Sequence, residues 1–419
     1  MPAGEHFILA DALCRRKSLL HLRAGGAPGF WVTAPPAPCG TISPATMARG
    51  FNFRLLFISL LLAGLAALQV AREVRPSFLG PGLRLRAYVA NAGDGTVSVV
   101  DLVSLTTIAT VPVGRAPSGL NALPAQEEIW GASGEEGYVW VLRASDGTIS
   151  SRIHVGAGPS AVEFAPDGRR AYVAVAGANA IVAIDTATKH IVARARTGRR
   201  PGPARVTPDG RTLLVPNRDD STLGLFDAAT LQSLGTVGVA SRPEQVVVLP
   251  DSSVAFVSAA GANQISAVDL RRRVLLTHLE LGGAPGHMIL KPDGGELFVT
   301  VPESHGIEII NTWTMEIADS MLVGLAPAQS TLNTSGDVLY VSDSAADRLL
   351  PIAIATRRLG TPIPVGRRPL TSRLDPSGEM LLVANQNSNN LAVIRVRTSS
   401  LLTMVPVGAR PSDLVVLLF

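Results

Sequence analysis

Residues 114–123, GRAPSGLNAL, return in outline at 156–165 as GAGPSAVEFA. The shared frame is a glycine, a proline three residues later, and then a short β-type run. Followed along the chain, that proline stands at Pro117, Pro159, Pro201, Pro243, Pro285, Pro327, Pro369 and Pro411, always 42 residues apart. The glycine stands at Gly114, Gly156, Gly198, Gly282, Gly324, Gly366 and Gly408, with Ala240 as the exception. A period held in register eight times marks a repeat architecture.

Other columns keep the same period. A large apolar residue recurs at Tyr88, Trp130, Tyr172, Leu214, Phe256, Phe298, Tyr340 and Leu382, and Asp or Asn closes a later run at Asp101, Asp185, Asp227, Asp269 and Asn311. Turns of Pro, Asp or Ser, and Gly occupy 166–168, 208–210, 292–294 and 376–378. Each unit therefore reads as four short strands separated by hairpin turns. One such sheet cannot bury both of its faces, so neighbouring sheets must stack, and stacking them radially protects their edges.

The expected fold is all-β, an eight-bladed β-propeller of four-stranded antiparallel blades spanning residues 86–419. With the run after each proline as the innermost strand, the chain starts on three outer strands of one blade. It ends on the missing inner strand, PSDLVVLLF at 411–419. That last strand is expected to pair with the first blade and close the ring. Units six and seven drift from the pattern, with NTSG at 333–336 and Ala353 in the Asp column. Irregular blades are expected there.

Composition agrees. Gly and Pro make 70 of 419 residues and charged residues only 17%, the profile of a turn-rich β protein with a sparsely charged surface. Both cysteines, Cys14 and Cys39, precede the repeats, which removes disulfide frameworks, Cys-ligated metal centres and a Cys nucleophile from the rest of the chain. The net charge of +4 gives no reason to invoke nucleic acid as a partner.

Ahead of the repeats, residues 55–71 read LLFISLLLAGLAALQVA behind Arg49 and Arg54. This is the basic-then-apolar pattern of an export signal, and it sits at the lower length limit for spanning a bilayer. Residues 47–71 are expected to act as a signal peptide or signal anchor that delivers the protein to the periplasm or the cell exterior. Residues 1–46 read as a start-site extension upstream of Met47 or a tail, and 72–85 as a linker.

Three segments carry a family resemblance: YVANAGDGTVSVVD at 88–101, TIATVPVGRAPSGL at 107–120 and PSAVEFAPDGRRAYVA at 159–174. They resemble the YVTN-type β-propeller repeat family, over about residues 86–419. The resemblance implies an exported propeller with a binding role and speaks more to fold than to function. The chain also resembles the d1-haem domain of cytochrome cd1 nitrite reductase and related biogenesis propellers, which implies a haem d1 cofactor over the channel with a His ligand. Lactonase-type propellers look similar with fewer, longer units. Quinoprotein dehydrogenases need a recurring tryptophan that this chain lacks.

Loops entering the inner strands open on the same face as loops between the second and third strands, around the channel mouth. Immediately before the repeating proline stand Arg115, Arg199, Arg200, Arg242, Arg367, Arg368 and Arg410. They form one arc over units seven, eight and one and a second over units three and four. Two readings stand: a focused positive mouth that attracts an anionic small molecule or an acidic protein segment, or exposed loops carrying solvated charge; the latter also fits a structural surface protein with a ligand-free mouth that self-associates through its outer strands.

Down the inner strands, the second residue after the proline is Gly119, Ala161, Pro203, Gln245, His287, Gln329, Thr371 or Asp413. The fourth is Asn121, Glu163, Arg205, Val247, Ile289, Thr331, Arg373 or Val415. Alternation turns these positions to one side, which adds Arg205, Arg373 and His287 to the ligand-binding candidates. His287 with His305 from the 305 loop is a haem or metal ligand candidate, set against an ordinary hydrogen-bonded histidine. Glu163 with Arg205, and Asp413 with Arg373 or Arg410, are expected as salt bridges between blades. No catalytic triad, paired catalytic carboxylates or phosphate loop is present in the spacing, so neither catalytic residues nor a resident cofactor is expected from the residues alone. The NAGDG loop at 91–95 reads as a turn repeated eight times rather than a ligand cradle.

Overall fold

A computed structural model describes residues 82–419; the expected export signal, the residues upstream of it and most of the expected linker lie outside the described residues. Eight antiparallel sheets follow one another, and each inner strand begins at or just after the repeating proline. Blade 1 holds Leu85–Asn91, Thr96–Asp101 and Thr106–Pro112. Its innermost strand is Pro411–Leu418 from the other end of the chain, paired from Leu85↔Leu418 to Asn91↔Pro411. Blades 2 to 8 follow in chain order, and the C-terminal strand closes the ring as the repeat predicts.

The burial of a strand depends on its place in the blade. In blade 3, Arg170–Val175 and Ala180–Asp185 are buried at nearly every residue, whereas the outermost strand, Ile191–Arg196, alternates between exposed and half-buried. Middle strands are covered by a neighbouring blade on each face, so they carry unbroken apolar runs. Eight hydrophobic clusters result, and each joins two adjacent blades. The one that closes the ring packs Leu85, Val89 and Val100 against Leu382, Leu391, Val393 and Leu414.

The repeated columns act between and within blades. Tyr88, Tyr172 and Tyr340 each donate from the hydroxyl to a carbonyl 56 residues on, that of Ala144, Ala228 or Val396. Burial pushes the Tyr88 hydroxyl up to about 12. Asp101, Asp185, Asp227 and Asp269, with Asn311, accept amide N–H groups two or three residues ahead and so fix the turn to the outer strand.

Blade 7 has Ala353 in that column, and its outer strand breaks into Arg358–Leu359 and Ile363–Pro364. The NTSG turn, by contrast, keeps the regular bond, Gly336 N–H to Asn333 O at 3.0 Å. Arg143 and Arg395 hold the same column in blades 2 and 8, where the outer strands Ile149–His154 and Ser400–Pro406 run unbroken, so a missing acceptor does not by itself break the strand. Inner strands also shorten, to Arg205–Val206 in blade 4 and Met288–Leu290 in blade 6. In blade 4 the cause is plain, because Pro201 and Pro203 supply no N–H to the ladder.

Candidate functional site

The inner strands of all eight blades surround a central cavity of about 770 Å³. Every residue two after the proline lines it, from Gly119 to Asp413, as do Asn121, Glu163, Arg205, Arg373 and Val415 from the fourth position. Val247, Ile289 and Thr331 do not line it. Two of these pack in the wall: Val247 joins a blade core, and Thr331 hydrogen-bonds Ser372 at 2.7 Å.

The wall is lopsided. At the level two residues after the proline, blades 2 to 4 contribute Gly119, Ala161 and Pro203, whereas blades 5 to 8 and 1 contribute Gln245, His287, Gln329, Thr371 and Asp413. Gly119 has φ of 61°, and a Cβ there would sit 2.3 Å from Ala161 Cα. The inner strands of blades 2 and 3 approach too closely for any side chain at that point.

Most polar wall groups bridge to the inner strand of the next blade. Inner strands of adjacent blades share no ladder, so their outward amides and carbonyls need side-chain partners. Gln245 takes both roles at Met288, accepting from its N–H at 2.9 Å and donating to its carbonyl at 3.1 Å. Glu163 accepts from Val206 N–H, Asp413 from Leu120 N–H, and Thr371 donates to Ser412 O. Glu163 also pairs with Arg205 at 3.3 Å, as expected from the sequence. The expected Asp413 pairs are corrected: neither Arg373 nor Arg410 comes within ion-pair distance of it, because its carboxylate is turned to the backbone of blade 2 and to Leu414 N–H. Burial pushes the Asp413 carboxyl up, with Arg373 and the amides of Leu120, Leu414 and Gly119 opposing.

His287 belongs to the same scheme. Its Nδ1 accepts from Ser330 N–H at 3.4 Å and lies 3.2 Å from Ser330 Oγ. Burial depresses its basicity to about 3, and the charges of Arg373 and Arg205 add to that. With Nδ1 accepting and the ring neutral, the proton rests on Nε2, which is then a donor with no lone pair for iron. His305 does not join it. That residue ends an exposed turn, and its Nδ1 meets Leu325 O at 2.6 Å. Among the described residues no group of three His, Cys, Asp or Glu could hold a metal ion.

Arg373 stands apart on this wall. Its guanidinium lines the cavity with no hydrogen bond or ion pair to a described residue, its charge reaching Asp413 only through space, and carbon-rich neighbours such as Leu370 and Val415 flank the same opening.

The seven loop arginines are all exposed and none lines the cavity. They crown the face from which it opens. Arg200, Arg242, Arg368 and Arg410 hold left-handed φ of 48–55°, and the neighbouring turn supports this backbone. Arg200 N–H donates to Asn179, Arg368 N–H to Asp347 and Arg410 N–H to Asn389, each 21 residues back. Their charges fare differently. Arg199 pairs with Asp220 at 2.5 Å, Arg200 with Asp219 at 3.5 Å and Arg115 with Glu135 at 3.4 Å. Arg242, Arg367, Arg368 and Arg410 have no carboxylate partner among the described residues. The NAGDG loop is a turn of this rim, with Asp94 accepting from Ala409 N–H at 2.8 Å.

Residues 240–410 match the family described as "Lactonase, 7-bladed beta-propeller", although this ring has eight blades. No curated protein matches the chain. Among solved structures, dihydro-haem d1 dehydrogenase NirN in complex with DHE is 16% identical with a TM-score of 0.68, over 81% of this chain and 77% of that one. Hydrazine synthase of Kuenenia stuttgartiensis is 19% identical with a TM-score of 0.56, over 67% of this chain and 95% of that one. A functionally unknown protein from Desulfotomaculum acetoxidans DSM 771 is 12% identical with a TM-score of 0.55, over 79% and 98%. The shared element is the propeller fold. The likeness to the d1-haem kind of propeller, drawn first from the repeat, is present in three dimensions.

Proposed function

We propose that this protein is an exported, non-enzymatic binding propeller that takes an anionic small molecule into its central channel. The supporting observation is Arg373, a cavity-lining guanidinium without a protein partner beside the Nε2–H donor of His287. A carboxylate or phosphate docked there receives a planar fork of donors, and the cavity volume falls in the range of small-molecule sites. Arg367, Arg368 and Arg410 crown the rim and raise the local anion concentration. An acidic protein segment is the less suited occupant, because the wall offers one unpaired cation rather than a row of them.

Isothermal titration with citrate and with inorganic phosphate tests this reading. Arg373→Ala is expected to weaken binding about tenfold or more, the scale of a lost hydrogen bond to a charged group. Equal affinity in wild type and variant would sink it.

A d1-type tetrapyrrole is the second reading, favoured by the fold shared with NirN. The acid groups of such a molecule suit Arg373 and the rim, but His287 does not fit as an iron ligand while its Nδ1 holds Ser330 N–H. Haem titration followed by absorbance decides it: a Soret shift that disappears in His287→Ala would establish ligation.

A further inference from the structure

On the opposite face, where the first-to-second and third-to-fourth strand turns lie, blades 6 and 7 enclose a second cavity of about 610 Å³. Trp313 forms one wall with 78% of its surface exposed, whereas Trp130 and Trp140 are fully buried. At its place in the turn the other repeats have alanine, serine, valine or arginine. A second departure complements the first. Gly295 stands where other repeats carry Glu127, Arg169, Arg211, Ser253, Asp337 or Glu379, and a Cβ on it would already touch Trp313 Cη2 at 3.4 Å, an ordinary contact. The glycine therefore leaves uncovered the indole edge that a longer side chain at this column would reach. Asn311 Oδ1 fixes the turn that carries the ring by accepting the backbone N–H of Trp313 at 2.9 Å and that of Thr314 at 3.1 Å.

Around that ring the lining alternates donors and acceptors. Lys291 pairs with Asp293 at 2.9 Å, Arg357 with Glu296, and Ser335 donates to Asp337 at 2.7 Å. Charges of both signs are present and largely compensated, which disfavours a strongly charged ligand. One exposed aromatic face with amide, carboxylate and cationic groups at its edge suits a flat ring bearing many hydroxyls. We propose that this pocket binds a saccharide, one sugar stacked on Trp313 and its hydroxyls hydrogen-bonded by Asp293, Asp337, Asn311 and Lys291. Two breaks of the repeat at mutually contacting positions argue for a site rather than drift, and an aromatic left in water at a pocket wall is the kind of apolar exposure that marks binding.

The test is a titration of the full chain with the uncharged cellotetraose and chitotetraose, read from the indole N–H resonance of Trp313, assigned by its loss in Trp313→Phe. At least one probe is expected to shift that resonance. Affinity, read for every variant by isothermal titration, should fall tenfold or more in Trp313→Ala and in Gly295→Arg, which fills the pocket, with melting temperatures unchanged because the ring is exposed. Arg373→Ala should leave sugar binding intact, which separates this site from the channel. If no probe moves the Trp313 resonance, or if Gly295→Arg binds as wild type does, the proposal is overturned.

Discussion

Blades 4 and 8 stand opposite one another in an eight-blade ring, and each is entered through a loop carrying two adjacent arginines. Toward blade 4, Arg199 and Arg200 are held by Asp220 and Asp219, Arg205 by Glu163, and Arg218 by Glu244 at 2.6 Å. Toward blade 8, Arg367, Arg368 and Arg373 have no carboxylate partner, and neither does Arg410 on the way into blade 1. Carboxylates do exist on that side, but Asp347 and Asp94 are turned to backbone amides. The same pair of arginines is thus neutralised where the chain enters blade 4 and left cationic where it enters blade 8, while Arg242 at blade 5 is unpaired and Arg115 at blade 2 is held by Glu135. A basic residue in a repeat has functional meaning only together with the direction its acidic neighbours face.

Next to blade 8 the first and last strands of the ring pair, so this side can be broken outright. Deleting residues 411–419 removes the inner strand of blade 1, including buried Leu414 and Leu417, and is expected to abolish the cooperative thermal transition seen by circular dichroism. A milder Leu414→Ala change should cost about 2–5 kcal/mol in denaturant unfolding.

Acid stability probes the wall between the two blades. His287 titrates at about 3 when folded against 6.5 as a free group. As pH falls below 6.5 the unfolded chain therefore gains a proton that the native state refuses, and stability declines until about pH 3. Asp413, raised by burial, acts in the opposite sense, so the measurement belongs in an Asp413→Asn background. There His287→Gln should flatten the loss of stability between pH 6.5 and 5. An unchanged slope would mean that burial does not hold the folded imidazole of His287 neutral.

Charge exchange between the two blades should follow. Glu163→Gln frees Arg205 and is expected to raise citrate affinity severalfold, making the blade 4 side resemble the blade 8 side. The smallest effect concerns the rim: Arg367→Ala with Arg368→Ala should reduce the salt dependence of citrate binding more than Arg199→Ala with Arg200→Ala, since surface ion pairs already offset the second pair.

Much of this was legible in the repeat. The 42-residue period gave the blade number and the closing strand, and alternation after each proline named the channel wall, including Arg205, Arg373 and His287. The proton on His287 Nε2 was not legible, because it depends on Ser330, an amide donor from another blade. Nor was the opening of the Trp313 pocket, although the signal was available: Trp313 and Gly295 both break their columns, and they are only 18 residues apart. Tracking departures from the repeat, and not only its agreements, would have found them.

Sequence by itself determined the architecture, since a repeat too small to bury its own faces must stack, and eight stacked units with a displaced strand must close. Tertiary structure alone decided which charges remain free. Pairing depends on whether a carboxylate reaches a guanidinium or a backbone amide first, and those partners lie on neighbouring blades, about 20 to more than 300 residues away along the chain.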